Sequence, residues 1–138
     1  MVNLSELSRN VQRAAGILEE IEQARLRATR TTSTLDGMPH TRKTRSKVES
    51  AAVAIAYLEE KHADLLEEIR QTREELADMI TALTDPDQQA VLRLRYLKGY
   101  RPETIAAGVN LCVRSVFTKL DQGKAELMRL YPGRFVDR

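Results

Sequence analysis

The stretch from Val48 to Leu83 limits what this chain can fold into more than any other feature. Val48, Ala51, Ile55, Leu58, His62, Leu65, Ile69, Thr72, Leu76, Met79 and Leu83 recur at alternating three- and four-residue steps. This is the heptad spacing that keeps one face of a helix turned towards a partner. His62 and Thr72 are the polar interruptions, and Glu59, Glu60, Glu67, Glu68, Glu74 and Glu75 occupy other faces. At about 1.5 Å per residue such a helix exceeds about 50 Å, and it needs a partner along most of that length. The spacing predicts a second amphipathic helix upstream through Leu4, Leu7, Val11, Ala14, Leu18, Ile21 and Ala28. Arg25 interrupts that stripe, and Ile17 and Ala24 widen it.

Folding the first helix back on the second predicts an antiparallel, coiled-coil-like hairpin over residues 1–84. The connection, residues 29–46, is rich in Thr and Arg and carries Asp36-Gly37-Met38-Pro39 as a turn. It is long for a helical hairpin, which marks it as functional or mobile. The first helix runs out before Leu76, so the far end of the second must meet the C-terminal region or a second copy of the chain. A homodimer through the hairpin is the expectation.

At Thr84-Asp85-Pro86-Asp87-Gln88 the heptad pattern breaks. Asp85 suits an N-cap, Pro86 a first helical turn and Gln88 the return position of a capping box. The new helix carries Val91, Leu92, Leu94, Tyr96 and Leu97 and ends at Gly99. A second domain over residues 85–138 follows. Within it Pro102 and Glu103 open a short helix with Ile105 and Ala106. Val109-Asn110-Leu111 makes a turn, and a further helix begins near Cys112 with Val116 and Leu120 on its inner side. This is the pattern of a helix-turn-helix. A small residue is needed at Ala106, where the helices cross, and Asn110 tolerates the left-handed backbone of a tight turn. Two short packed helices in an ordinary bundle are the competing reading. Gly123, inside the last helix, predicts a loss of about 1 kcal/mol against Ala or a bend.

The span from Leu83 to Leu130 resembles region 4 of sigma-70-type factors. Asp85 to Tyr96 resembles that family's first helix, with its arginine-tyrosine pair at Arg95-Tyr96. Ile105-Ala106 and Val113-Arg114-Ser115-Val116 resemble its paired helices, and Lys124-Ala125-Glu126-Leu127 its closing segment. With the Gly37-Met38-Pro39 turn and the hairpin, the whole chain is similar to uncharacterised phage and prophage regulators of late genes. The resemblance implies binding to promoter-region, double-stranded DNA, with RNA polymerase as a further partner. The departures are Cys112, where the family places Ser or Thr, and the absence of the regions that melt promoters. They point to an activator or adaptor rather than a complete sigma factor.

Counted outward from Ala106 and Val116, the helix that starts near Cys112 presents Cys112, Val113, Arg114, Phe117, Thr118 and Asp121. Arg114 is the expected base reader, because a guanidinium pairs with both acceptors of guanine. Val113 and Phe117 suit thymine methyls, with inward packing as the alternative for Phe117. Ser115, Thr118, Lys119 and Arg101 suit phosphates. Asp121 suits a cytosine contact or an edge outside the groove, and Lys124 and Arg129 read as solvated. Arg42, Lys43 and Arg45 in the connection are a second basic zone, either gripping DNA backbone or keeping a loop soluble.

Charge distribution agrees with contacts confined to particular surfaces. Residues 25–47 carry seven basic side chains against Asp36, residues 48–84 nine acidic against three basic, and residues 85–138 ten basic against six acidic. The net charge of the whole chain is only +2. With one cysteine, Cys112, no internal disulfide forms, which suits a reducing cytoplasm. No apolar run reaches the roughly 20 residues that span a bilayer, and no signal peptide opens the chain. His40 and His62 lack metal-ligand spacing, and no phosphate-binding glycine loop or nucleophile elbow appears, so neither an enzyme nor a cofactor is expected. The alternative function is a phage terminase small subunit or another helical assembly or adaptor protein. The position of the helix-turn-helix after the long helices argues against the terminase.

Overall fold

The computed structural model describes residues 1–33 and 42–137, with side chains described for 1–29 and 49–137. The fold is all-α, as the periodicity predicts: two long helices followed by shorter ones. A two-residue strand β1 (Val2–Asn3) leads into α1 (Leu4–Ser33), and α2 (Arg42–Thr81) follows. After them come α3 (Pro86–Leu92), a π-helical turn at Arg93–Leu97, α4 (Pro102–Val109), α5 (Val113–Leu130) and β2 (Phe135–Val136). The helices therefore extend into both ends of the segment expected to be a connection. Thr and Arg tolerate helical backbone, and the strong breakers lie only at Asp36–Pro39. Residues 34–41, with the Gly37-Met38-Pro39 turn, lie outside the described residues, as do the side chains of Arg42, Lys43 and Arg45.

The chain divides into two compact units, one of residues 1–8 and 69–138, the other of residues 9–68. Both long helices run through the division, and α2 ends at Thr81, three residues before the change of sequence pattern at residue 84.

In the unit of residues 9–68, Ala14 and Ile21 are buried. Asn10, Ile17, Ala24 and Ala28 are half-buried at the alternate positions of α1, as are Ala51, Ile55, Leu58, His62 and Leu65 of α2. The inward stripe on α1 therefore passes through Asn10, Ile17 and Ala24. The sequence expectation ran instead through Val11, Leu18 and Arg25, one residue further along, and Val11 and Leu18 are exposed. Arg25 is free to reach across and pair with Glu59. Ala14, Ile21 and Ala28 belong to both stripes, so only the alternate positions change, and Ala24 is a cheaper group to bury than the charged Arg25.

In the unit of residues 1–8 and 69–138, Leu4, Leu7, Leu76, Met79, Ile80 and Leu83 are buried together with Val91, Leu92, Ile105, Val116, Leu120 and Leu127. The far end of α2 is thus buried without a second copy of the chain. Asn3 caps α1, its Oδ1 accepting from the amides of Ser5 (3.1 Å) and Glu6 (3.2 Å). Beside it β1 pairs in parallel with β2, Val2 opposite Phe135. The Val2 amide also donates to the Arg134 carbonyl at 2.7 Å. The Met1 ammonium lies 3.4 Å from Glu75.

Candidate nucleic-acid interface

The turn between α4 and α5 is built as its residues require. Asn110 ends α4 with φ 56° and ψ 39°, and its amide donates to the Ala106 carbonyl. Among the described residues no other non-glycine has a positive φ. Leu111 then donates to the same carbonyl at 3.2 Å. Asn reaches this left-handed backbone at lower cost than most residues, so three residues suffice to reverse the chain. Ile105, Ala106 and Val116 are buried where α4 packs on α5, while Val109 and Leu111 are half-buried at the margin.

On the other side α5 packs on α3. Asp85 caps α3, accepting from the Asp87 amide at 2.9 Å. Gln88 makes no return bond to the cap; it faces α5, and Gln89 instead donates to the Leu83 carbonyl. The second carboxylate oxygen of Asp85 pairs with Lys119 Nζ of α5 at 2.9 Å. The ammonium of Lys119, followed by the Asp87 amide, holds the Asp85 carboxyl below its ordinary range, and the same pair holds the Lys119 ammonium above its own. Lys119, expected as a phosphate contact, thus pairs with Asp85 of α3 and positions α5. Nothing in the sequence pointed to that pair, whose members lie 34 residues apart.

The outward side of α5 holds the remaining candidates. Arg114, Thr118 and Asp121 are exposed, Val113 is 36% and Phe117 49% exposed, and Ser115 is half-buried. Phe117 therefore does not pack inward. No described carboxylate pairs with Arg114 or with Arg101, which stands exposed at the N-cap of α4. Thr118 donates to the Arg114 carbonyl at 3.0 Å, a bond within the helix that leaves its oxygen lone pairs outward.

Cys112 occupies the N-cap of α5 but makes no side-chain capping bond, as its poor capping chemistry predicts. Its Sγ lies 3.1 Å from Ser115 Oγ, and this contact, with the nearby amides of Ser115 and Arg114, lowers the thiol's pKa. The first amides of α5 are left without a strong acceptor, and such a helix end favours an anion.

Lys124 departs from the sequence reading, whereas Arg129 stays exposed as that reading has it. Lys124 is not solvated: it lies over the Tyr96 ring, 5.9 Å from its centre, and 3.3 Å from Asp137. Arg129 pairs with Glu126 at 3.0 Å. The reading also passed over Tyr100, which is exposed in the turn before α4 and whose carbonyl accepts from Arg95 at 3.1 Å. A π-helical turn precedes it, closed by the Lys98 amide on the Arg93 carbonyl at 3.1 Å.

Among the described residues no group of His, Cys, Asp and Glu is placed to hold a metal ion, and no helix is long and apolar enough to cross a membrane. No curated protein and no solved structure matches the chain. Residues 38–128, a span that takes in α2, α3, α4 and nearly all of α5, match the model of a family described as a protein of unknown function, DUF1492. The chain belongs to that family.

Proposed function

We propose that the chain is a DNA-binding transcription regulator of the phage late-gene type. In this reading α5 enters the major groove of promoter-region DNA much as the corresponding helix of sigma region 4 does. The observation that carries it is Arg114: an exposed guanidinium with no carboxylate partner, on the first turn of a helix held by a three-residue turn and by the Asp85–Lys119 pair. A helix so held has little freedom left to lose on binding, which favours direct readout. Ser115, Thr118 and Arg101 flank it with donors for phosphate oxygens. RNA polymerase and a second copy of the hairpin are the further partners proposed, and the cytoplasm is the compartment.

The test is fluorescence anisotropy on DNA upstream of the neighbouring genes, with scrambled competitor at two salt concentrations. Wild type should prefer the native sequence, and Arg114→Ala should lose about 1–3 kcal/mol of that discrimination. Arg101→Ala should weaken binding to all sequences alike and reduce the salt slope by about one. Equal affinity for native and scrambled DNA, unchanged by Arg114→Ala, overturns the reading.

A further inference from the structure

The first two turns of α5 carry two large apolar side chains that the fold does not use, set apart along the helix from exposed Met128 and Leu130 at its far end. Val113 and Phe117 are four residues apart, hence on one face and one turn apart, and both are well exposed. The inner side of the same helix is already supplied by Val116, Leu120 and Leu127, all buried. Exposed Arg114, Thr118 and Asp121 surround the pair, so it is a small apolar island on a polar helix.

Its size decides what it fits. A fully buried aromatic side chain contributes about 150–250 Å². Half a phenylalanine and a third of a valine therefore offer on the order of 150 Å², far below the roughly 800 Å² that each partner gives to a stable protein interface. In the major groove the thymine C5-methyl is the apolar group that base edges present, and it is matched to a patch of this size.

Resting on the DNA-binding reading above, we propose that Phe117, with Val113 beside it, reads thymine methyl groups next to the guanine read by Arg114. Arg114 and Phe117 are separated by about 4.5 Å along the helix axis at 1.5 Å per residue. Base pairs stack at about 3.4 Å. The guanine and the thymine therefore lie one or two base steps apart. Asp121, one turn beyond Phe117, bounds the readout, because its carboxylate is repelled by phosphates.

The experiment starts with selection from a randomised duplex library by the full chain. The selected duplex is then compared with copies in which single thymines are replaced by deoxyuridine, a change that removes one methyl and leaves every hydrogen-bonding group. At the reading position wild type should bind the deoxyuridine copy about fourfold more weakly, the value of one buried methyl. Phe117→Ala should show no such difference, and Phe117→Leu, which keeps an apolar contact, should retain part of it. Equal binding of both duplexes by wild type, or an undiminished loss in Phe117→Ala, overturns the proposal while leaving DNA binding intact. A library from which no sequence is enriched overturns the proposal together with the reading beneath it.

Discussion

Gly123 of α5 faces Leu92 of α3 so closely that a β-carbon on the glycine would come within 2.7 Å of Leu92 Cδ1 and 3.3 Å of its Cγ. Leu92 is fully buried, and close packing leaves a buried side chain little room to shift. The glycine in the middle of a helix, which on propensity alone weakens it, is therefore what lets α3 and α5 approach. Gly123→Ala gains about 1 kcal/mol of helix propensity but overpacks a filled core, at a cost of about 1–3 kcal/mol. A small net destabilisation is expected. Gly123→Leu should prevent the packing altogether, and urea melts of the two variants measure both effects.

The Asp85–Lys119 pair makes stability depend on pH in the acid range. The folded chain holds Asp85 below its ordinary value of 3.8, so it binds that proton less tightly than the unfolded chain does. The stability from this carboxylate is complete above the ordinary value and is lost as the pH falls below it and through the lower value of the folded chain. Asp85→Asn keeps a capping side chain and removes only the charge. It should melt lower than wild type at neutral pH, and the difference should close as the pH drops below about 4. A constant difference across that range would mean that the pair contributes nothing.

Asn110 gives a cleaner backbone test. At φ 56° a glycine is unstrained, so Asn110→Gly should leave denaturation nearly unchanged. Asn110→Val should cost about 1–2 kcal/mol, because a β-branched side chain clashes in the left-handed region. If both variants behave alike, the turn is held by something other than this residue.

The hairpin face is tested by two residues that the sequence treats alike. Ile21 is 3% and Leu18 45% exposed. Ile21→Ala should cost about 2–5 kcal/mol, the penalty for emptying a packed position. Leu18→Ala should change stability by no more than about 0.5 kcal/mol. Thermal denaturation of the two variants side by side would show which stripe faces inward.

The existence and order of the helices were legible without coordinates, because heptad steps, the Asp85-Pro86 start and Asn110 each act over a few residues. So was the inward set of the α4–α5 turn, Ile105, Ala106 and Val116, since one tight turn leaves two short helices few ways to meet. The candidate contact residues on α5 followed by elimination, as the positions those inner residues do not use. Lys119 escaped that logic. Its spacing placed it among the phosphate contacts, but its partner belongs to a helix that periodicity could not position beside it. The face of α1 was misjudged for a related reason: a stripe two residues wide admits two rotations, and only burial against α2 chooses between them.

What the sequence determined by itself is local: where helices start and stop, which residue takes the left-handed turn, and which residue types lie on each face of α5. Those choices depend on backbone sterics and capping within one or two turns. The tertiary structure alone decided that Gly123 is a contact rather than a weakness, that Lys119 locks α5 to α3, and that Ile17 and Ala24 take the inward places beside Ile21. Each of these depends on atoms brought together from distant parts of the chain, where close packing and the hydration of charge select one arrangement from several that local rules leave equal.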